Sequence, residues 1–106
     1  MRLVVVESPY AGDVARNLEY ARAAMLDCLQ RQEAPFASHL LYTQVLNDDS
    51  PVERWQGIQA GIEYHKRADC VVFYLDLGLS EGMTQAILNA AREGVAMEFR
   101  FLEGWG

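Results

Sequence analysis

The sequence predicts an α/β fold, a Rossmann-like three-layer sandwich with a parallel sheet of four to five strands. Apolar runs rich in β-branched residues at 3–6 and 70–75 are typical of strands buried on both faces of a parallel sheet. Segments between them carry apolar residues every three to four positions, as amphipathic helices do. Because alternating strands and helices connect through right-handed crossovers, we expect the strand order 2-1-3-4.

Local signals place the first half of the elements. After the first strand, Asp13 is the expected N-cap of a helix that continues to about residue 31. A short second strand is predicted over 33–38, although Pro35 cannot donate a ladder hydrogen bond. The segment 39–50 is polar and aromatic, and we predict that it forms a loop.

A second strong helix start follows this segment. Ser50 occupies the expected N-cap, Pro51 the first helical position and Glu53 the third, which together form a familiar initiation pattern. The apolar spacing extends this helix to about Arg67.

The last third of the chain predicts one further helix and strand. Ser80 is the expected cap of a helix over 81–93, and Gly94 is the residue that ends it. A final strand is predicted over 96–102, and the tail that follows is expected to leave Trp105 exposed.

Composition limits the classes of function. With 106 residues the chain is expected to form one domain over 1–106, and 9 Lys and Arg against 15 Asp and Glu give a net charge of -6. This acidic balance argues against a nucleic-acid polymer as partner. Cys28 and Cys70 lie in apolar segments with no zinc-binding spacing, so we expect buried free thiols. Apolar runs are too short for a membrane span, and we expect a cytoplasmic protein without a membrane partner.

A ligand site is predicted beyond the carboxyl ends of the strands, where open parallel sheets form a crevice. The segment 80–83 is the best phosphate position, because the free amides of a helix N-terminus favour anions; a plain serine cap is the alternative. Arg16 would supply a cation, or would pair with Asp13 or Glu19. The candidate ligand-binding residues are Ser8, Pro9, Tyr10, Arg16, Asn17, His39, Asp76, Ser80, Gly82 and Met83.

Carboxylates at the strand ends are candidates for chemistry. Glu7 and Asp76 end strands that are adjacent in the predicted order, and Glu81 lies slightly beyond. Paired carboxylates bind sugar hydroxyls or act as acid and base, whereas solvated turn caps are the alternative. Asp76 and Glu81 are therefore the catalytic candidates. His39 is expected to contact a ligand hydroxyl, and His65 to be structural.

Short motifs in a fixed order carry a family resemblance. They are Glu7-Ser8-Pro9-Tyr10-Ala11-Gly12 with Asn17, Ala37-Ser38-His39-Leu40, Pro51-Val52-Glu53-Arg54 with Gly57, Arg67-Ala68-Asp69, Asp76 with Ser80-Glu81-Gly82-Met83, and Ala90 with Gly94. In their order and spacing, which cover essentially the whole chain, the sequence resembles the nucleoside 2-deoxyribosyltransferase-like superfamily. It looks most like the small bacterial and phage branch of that superfamily.

The resemblance implies a Rossmann-like fold, no metal or other cofactor, and chemistry on the N-glycosidic bond of deoxyribonucleosides or their 5′-monophosphates. It also implies a homodimer or higher homo-oligomer, for which Trp55 and the aromatic segment 99–105 offer surface. The nucleophilic glutamate of the superfamily corresponds to Ala86 in this chain. Alanine cannot attack an anomeric carbon.

The sequence therefore predicts a protein that binds a nucleotide or nucleoside phosphate, to sense or sequester it, without the superfamily's nucleophile. The alternative is an active N-glycosidase or deoxyribosyltransferase in which Glu81 or Glu7 replaces the missing glutamate. A third hypothesis is a partner-binding domain with a vestigial pocket.

Overall fold

A computed structural model describes residues 1–105 and contains a four-stranded parallel sheet in the order β2-β1-β3-β4, which confirms the predicted fold class and strand order. The strands are β1 (Leu3–Glu7), β2 (Ala34–Phe36), β3 (Cys70–Tyr74) and β4 (Met97–Arg100). The helices are α1 (Val14–Gln30), α2 (Ser38–Leu41), α3 (Pro51–Glu63) and α4 (Glu81–Glu93).

Helices cover both faces of the sheet, which explains why the central strands are apolar throughout. Successive side chains of a strand point to opposite faces. Val4 and Val6 accordingly belong to a core cluster with Tyr20 of α1, whereas Val5 packs in a second cluster with Met83 of α4. The two clusters are the two interfaces of a three-layer sandwich.

The predicted helix signals are confirmed. Asp13, Ser50 and Ser80 each accept a hydrogen bond from the backbone amide three residues later, and so cap α1, α3 and α4. Gly94 ends α4 with a φ of 67°, a left-handed conformation that favours glycine.

The loop predicted over 39–50 was wrong in its first half. Residues Ser38–Leu41 form α2, and a 3₁₀ turn follows over Tyr42–Gln44. Leu40 packs against the core and the ring of Tyr42 lies 6.3 Å from that of Phe36, so tertiary contacts order a segment whose composition looks like a loop.

Several predicted elements are shorter than expected. The second and last strands span 34–36 and 97–100 rather than 33–38 and 96–102. The third helix ends at Glu63 and continues as a 3₁₀ helix over Tyr64–Arg67. Terminal residues of an element have fewer partners, so their state depends on neighbours that local patterns do not contain.

The expectation of an exposed Trp105 was also wrong. Its ring packs edge-on against Tyr20 with centroids 5.0 Å apart, at the margin of the core cluster beneath α1. Cys28 and Cys70 are buried free thiols, as predicted. No helix within residues 1–105 has both the length and the apolar character needed to cross a bilayer.

Candidate functional site

A cleft lies at the carboxyl ends of the strands, where the sequence predicted a ligand. It contains about 740 Å³ of space free of protein atoms, part of which is open solvent. Its walls come from the segment after β1, from α2 and the turn that follows, from α3 between Glu53 and Ile62, and from the N-terminus of α4.

The structure brings about half of the predicted site residues to this cleft. Those that line it are Ser8, Tyr10, His39, Ser80, Gly82 and Met83. Those that do not are Pro9, Arg16, Asn17, Asp76 and Glu81. The residues that line the cleft lie on three different segments, so their convergence depends on the sheet order.

Asn17 and Asp76 lie outside the cleft because other groups use their polar atoms. The buried side-chain amide of Asn17 donates to the carbonyl oxygens of Tyr10 and Ala11, at 2.9 and 3.1 Å. Asp76 Oδ2 accepts from the hydroxyl of Tyr20 at 2.6 Å and from the amide of Leu102 at 2.9 Å. These two side chains fix the loops around the cleft and do not line it.

Three further positions from the sequence analysis are also absent from the cleft lining. The side chain of Glu81 is 70% exposed, and its nearest cation is Arg54 at 3.9 Å. Ala86 is 1% exposed and packs in the core cluster between α4 and the sheet, beside Val5 and Phe73. Arg16 is exposed on α1.

Glu7 is the buried carboxylate of the cleft wall. It ends β1 on the same side of the sheet as Val5, with Phe73 as its register partner. Its Oε2 lies 3.2 Å from Nε2 of the fully buried His65, and His65 Nδ1 lies 3.2 Å from the side-chain nitrogen of Asn89. A chain of three side chains, of which Asn89 is half-buried, therefore leads from α4 to the cleft.

Ser8 and His39 form the second polar pair of the cleft. A hydrogen bond of 2.6 Å joins Ser8 Oγ and His39 Nε2. Burial lowers the pKa of His39, because an imidazolium would lose its hydration, and the negative charge of Glu7 opposes this shift. The pair therefore presents a neutral imidazole and a hydroxyl, groups that can donate to or accept from a bound hydroxyl group.

Sequence reasoning missed the cation of the cleft. Arg54 is the one arginine or lysine that lines the cleft among residues 1–105, and its side chain is 34% exposed. A cation near a helix N-terminus was the signal that selected Arg16, and it applies equally to Arg54 in the first turn of α3. The sequence contains no local signal that tells which helix begins beside the cleft.

The cleft also contains acidic groups that were not predicted. Asp48 and Glu53 line it together with Glu7, so the wall carries more negative than positive charge. Glu53 Oε1 accepts from the amide of Asn47 at 3.1 Å and thereby holds the preceding loop against α3. Within residues 1–105 no group of three His, Cys, Asp or Glu side chains is arranged to hold a metal ion.

Comparison with known proteins places the chain in a family. The sequence model of a family described as a domain of unknown function, DUF7768, matches residues 2–100. The chain belongs to this family. No curated protein matches it.

A solved structure shares the fold of this DUF7768 chain. A 2-deoxyribosyltransferase from the psychrotolerant bacterium Bacillus psychrosaccharolyticus aligns with a TM-score of 0.66 and 13% sequence identity. The alignment covers 97% of this chain and 87% of that one. At this identity the likeness establishes the fold, in agreement with the Rossmann-like architecture expected from the sequence.

Proposed function

We propose that this DUF7768 chain binds a nucleoside 5′-monophosphate in the cleft, to sense or sequester it, without cleaving its N-glycosidic bond. One observation carries the proposal. The cleft joins the hydrogen-bonding groups at the end of β1 to Arg54 and the N-terminus of α4. A sugar phosphate needs both kinds of group within one small volume.

The sugar would lie against Glu7, Ser8 and His39. A carboxylate accepts hydrogen bonds from hydroxyl groups, and a serine or neutral histidine both donates and accepts. All three side chains are held by other protein groups at distances of 2.6 to 3.2 Å, so little rotamer entropy is lost when a hydroxyl binds them.

The phosphate would lie near Arg54 and Ser80. The first amides of α4 have no acceptor within the helix, and together with the helix dipole they favour an anion. Among residues 1–105 the guanidinium of Arg54 has one ion-pair partner, the exposed Glu81 at 3.9 Å, so it can turn to a phosphate at small cost. Because the other charged side chains nearby are acidic, we expect the affinity for the phosphate to depend on Arg54.

The base would stack on an aromatic ring. Tyr10 and Tyr42 line the cleft from two different segments. Base–aromatic stacking contributes roughly 1–3 kcal/mol per base and tolerates any base. Because Ala86 has no carboxylate, the bound ligand would not meet the superfamily's nucleophile.

Isothermal titration calorimetry tests the proposal with 2′-deoxynucleoside 5′-monophosphates and the matching nucleosides. In Arg54→Gln we expect the affinity for a monophosphate to fall by about tenfold or more, which is about 1.4 kcal/mol. The affinity of the same variant for the nucleoside should stay unchanged. Arg16→Gln is the matched control, because it removes an arginine outside the cleft and should change neither affinity. Absence of heat with all of these ligands would exclude the proposal.

An active N-glycosidase is the second candidate, and the position of Glu7 favours it. Glu7 lines the cleft, whereas Glu81 is largely exposed outside it. In such a reaction a Glu7 oxygen bonds to the anomeric carbon, the C–N bond breaks, and the departing base takes the electron pair and a proton from solvent, which the later attack of water on the glycosyl ester returns. Water then hydrolyses the glycosyl ester and restores the carboxylate.

Chromatography for free base separates the two candidates. Release of base from a deoxynucleoside monophosphate that Glu7→Gln abolishes and Glu81→Gln retains would establish turnover by Glu7. Tight binding with no base released after prolonged incubation would leave the binding protein as the function.

We also propose that a second copy of the chain covers the cleft. Trp55, Phe99 and Phe101 are 47%, 51% and 67% exposed, and these aromatic side chains offer surface for a contact between copies. Sedimentation equilibrium at micromolar concentration should give at least a dimer, and a monomer at every concentration would contradict this.

A further inference from the structure

We infer that His65, fixed by Asn89, is a positioning residue that determines which oxygen of Glu7 faces the cleft. The effect of this positioning on ligand binding rests on the proposed function, whereas the tautomer of His65 can be tested without a ligand. His65 is fully buried and touches no ligand space, so it acts through Glu7.

The side chains of Asn89 and Glu7 favour the same tautomer of His65. An amide nitrogen is a donor only, so His65 Nδ1, which lies 3.2 Å from it, must accept. In the neutral ring the proton is then on Nε2, and Nε2 donates to Glu7 Oε2 at 3.2 Å. The opposite tautomer would place the lone pair of His65 Nε2 against a lone pair of Glu7 Oε2. It would also place the N–H of His65 Nδ1 against the N–H of the Asn89 amide.

This hydrogen bond leaves one Glu7 oxygen for the cleft. Within residues 1–105 no group donates to Oε1, whereas Oε2 has His65. The side chain of Glu7 is 12% exposed, and it lines the cleft. We assign this exposed part to Oε1, the oxygen for which the described residues provide no donor.

The contact between His65 and Glu7 does more than supply a hydrogen-bond partner to a buried carboxylate. A buried carboxylate needs a partner, but one donor at Oε2 with a second fixed group behind it also restrains the rotation of the side chain. Such outer partners commonly orient the groups that contact a ligand. We expect Oε1 to be the atom that accepts from a ligand hydroxyl, or that attacks the anomeric carbon if turnover occurs.

The geometry is tested by ¹⁵N NMR of the imidazole nitrogens in the wild-type chain. We expect a protonated Nε2 and an unprotonated Nδ1 for His65, also in Asn89→Leu, where Glu7 still accepts from Nε2, and a mixture of both tautomers when Glu7→Leu is added. A wild-type ring protonated mainly on Nδ1, or on both nitrogens at pH 7, would overturn the inference without reference to any ligand.

The consequence is tested by a double-mutant cycle on ligand affinity. His65→Leu should weaken ligand binding about tenfold. His65→Gln retains a donor near the Nε2 position and should restore most of the affinity. In a protein that already carries Glu7→Gln, His65→Leu should cause no further loss of affinity. Full additivity of the two substitutions, or a loss of unfolding free energy in His65→Leu without loss of affinity, would show a structural role only. If the wild type binds no nucleotide but its His65 tautomer is as expected, the proposed function fails and the positioning geometry stands.

Discussion

Two polar clusters of this protein differ in how completely their hydrogen-bonding atoms are paired. The ion-pair cluster consists of Arg2, Glu33, Glu98 and Arg100, and the cleft cluster consists of Glu7, Ser8 and His39. In the ion-pair cluster both oxygens of Glu33 accept from Arg100, at 2.8 and 2.9 Å, and Arg2 adds a third bond at 2.8 Å. In the cleft cluster each side chain has one strong protein partner and faces an open volume.

Pairing on this scale makes the ion-pair cluster a structural feature. Glu33 and Arg100 are 5% and 6% exposed, and their hydrogen bonds lower the pKa of Glu33 to about 2 and raise that of Arg100. Burial of such charges is tolerated because nearly every polar atom has a partner. Free hydrogen-bonding atoms beside a cleft, rather than charge as such, therefore distinguish the candidate site from the buried network.

The largest expected effect is the loss of the buried pair. Arg100→Met should lower the free energy of unfolding by about 3–5 kcal/mol, because Glu33 would remain buried without its main partner. Urea denaturation measures the loss, and the affinity of the folded protein for ligand should be unchanged. Lys66→Met is the control, since its pair with Glu63 is exposed and should contribute at most about 0.5 kcal/mol.

Lowering the pH should also weaken the ion-pair cluster, because Glu33 becomes protonated. Its pKa in the folded protein, about 2, is below the ordinary value of 4.5, so its contribution is complete above pH 4.5 and is lost as the pH falls toward 2. This shift in the pKa of Glu33 corresponds to at most about 3 kcal/mol of unfolding free energy. Denaturation curves between pH 6 and pH 2.5 should show this loss, and Glu33→Gln should remove it. An equal slope in both proteins would assign the acid sensitivity to other carboxylates.

Two glycines of α3 offer a smaller test of the cleft cluster. A Cβ at Gly61 would lie 2.5 Å from Oγ and 2.8 Å from Cβ of Ser38, whose neighbour His39 bonds to Ser8. We expect overpacking in Gly61→Ala to lower the free energy of unfolding by about 1–3 kcal/mol, and the higher helix propensity of alanine to offset about 1 kcal/mol of this loss. The variant should also bind the ligand more weakly.

Gly57→Ala is the matched control for the stability of Gly61→Ala. Its Cβ would approach the flexible end of Leu46 at 3.3 Å, so the same gain in helix propensity comes with a mild contact. Thermal unfolding of both variants measures the difference in stability, and calorimetry compares Gly61→Ala with the wild type, because Gly57 itself lines the cleft. Equal stability in the two variants, with wild-type affinity in Gly61→Ala, would show that α2 accommodates the methyl group without moving His39.

The smallest expected effect is the titration of His39. Burial lowers the pKa of His39 in the folded protein, so the unfolded chain takes up the proton first. The contribution of His39 to stability is therefore complete above its unperturbed pKa of about 6.5, and it decreases as the pH falls below that value. His39→Gln should flatten the pH dependence between pH 7 and pH 5. The same slope in the variant would show that His39 is as accessible to protons in the folded protein as in the unfolded chain.

The fold could be predicted from the sequence because its signals are local. The apolar runs at 3–6 and 70–75, the capping residues and Gly94 each depend on a few neighbouring positions, and each is confirmed within one or two residues. The segment after β2 is the exception. Leu40 and Tyr42 form helical turns there because they pack on distant residues, and no local pattern contains that contact.

The cleft was predicted in its position but only partly in its membership. The end of β1, His39 and the start of α4 were selected because parallel strands bring their carboxyl ends to one edge. Arg54 was missed, and Arg16 was chosen instead, because the direction of each helix relative to the cleft decides which cation faces it.

The sequence by itself determined the alternation of strands and helices, their caps, and the edge of the sheet where a ligand would bind. Only the tertiary structure decided that Glu7 rather than Glu81 faces the cleft, and that Trp105 packs on Tyr20. Propensity and capping act over about one helical turn, whereas the bonds that build the cleft join residues 31 and 58 positions apart. Partners at that separation are specified by the packed sheet and not by any stretch of chain.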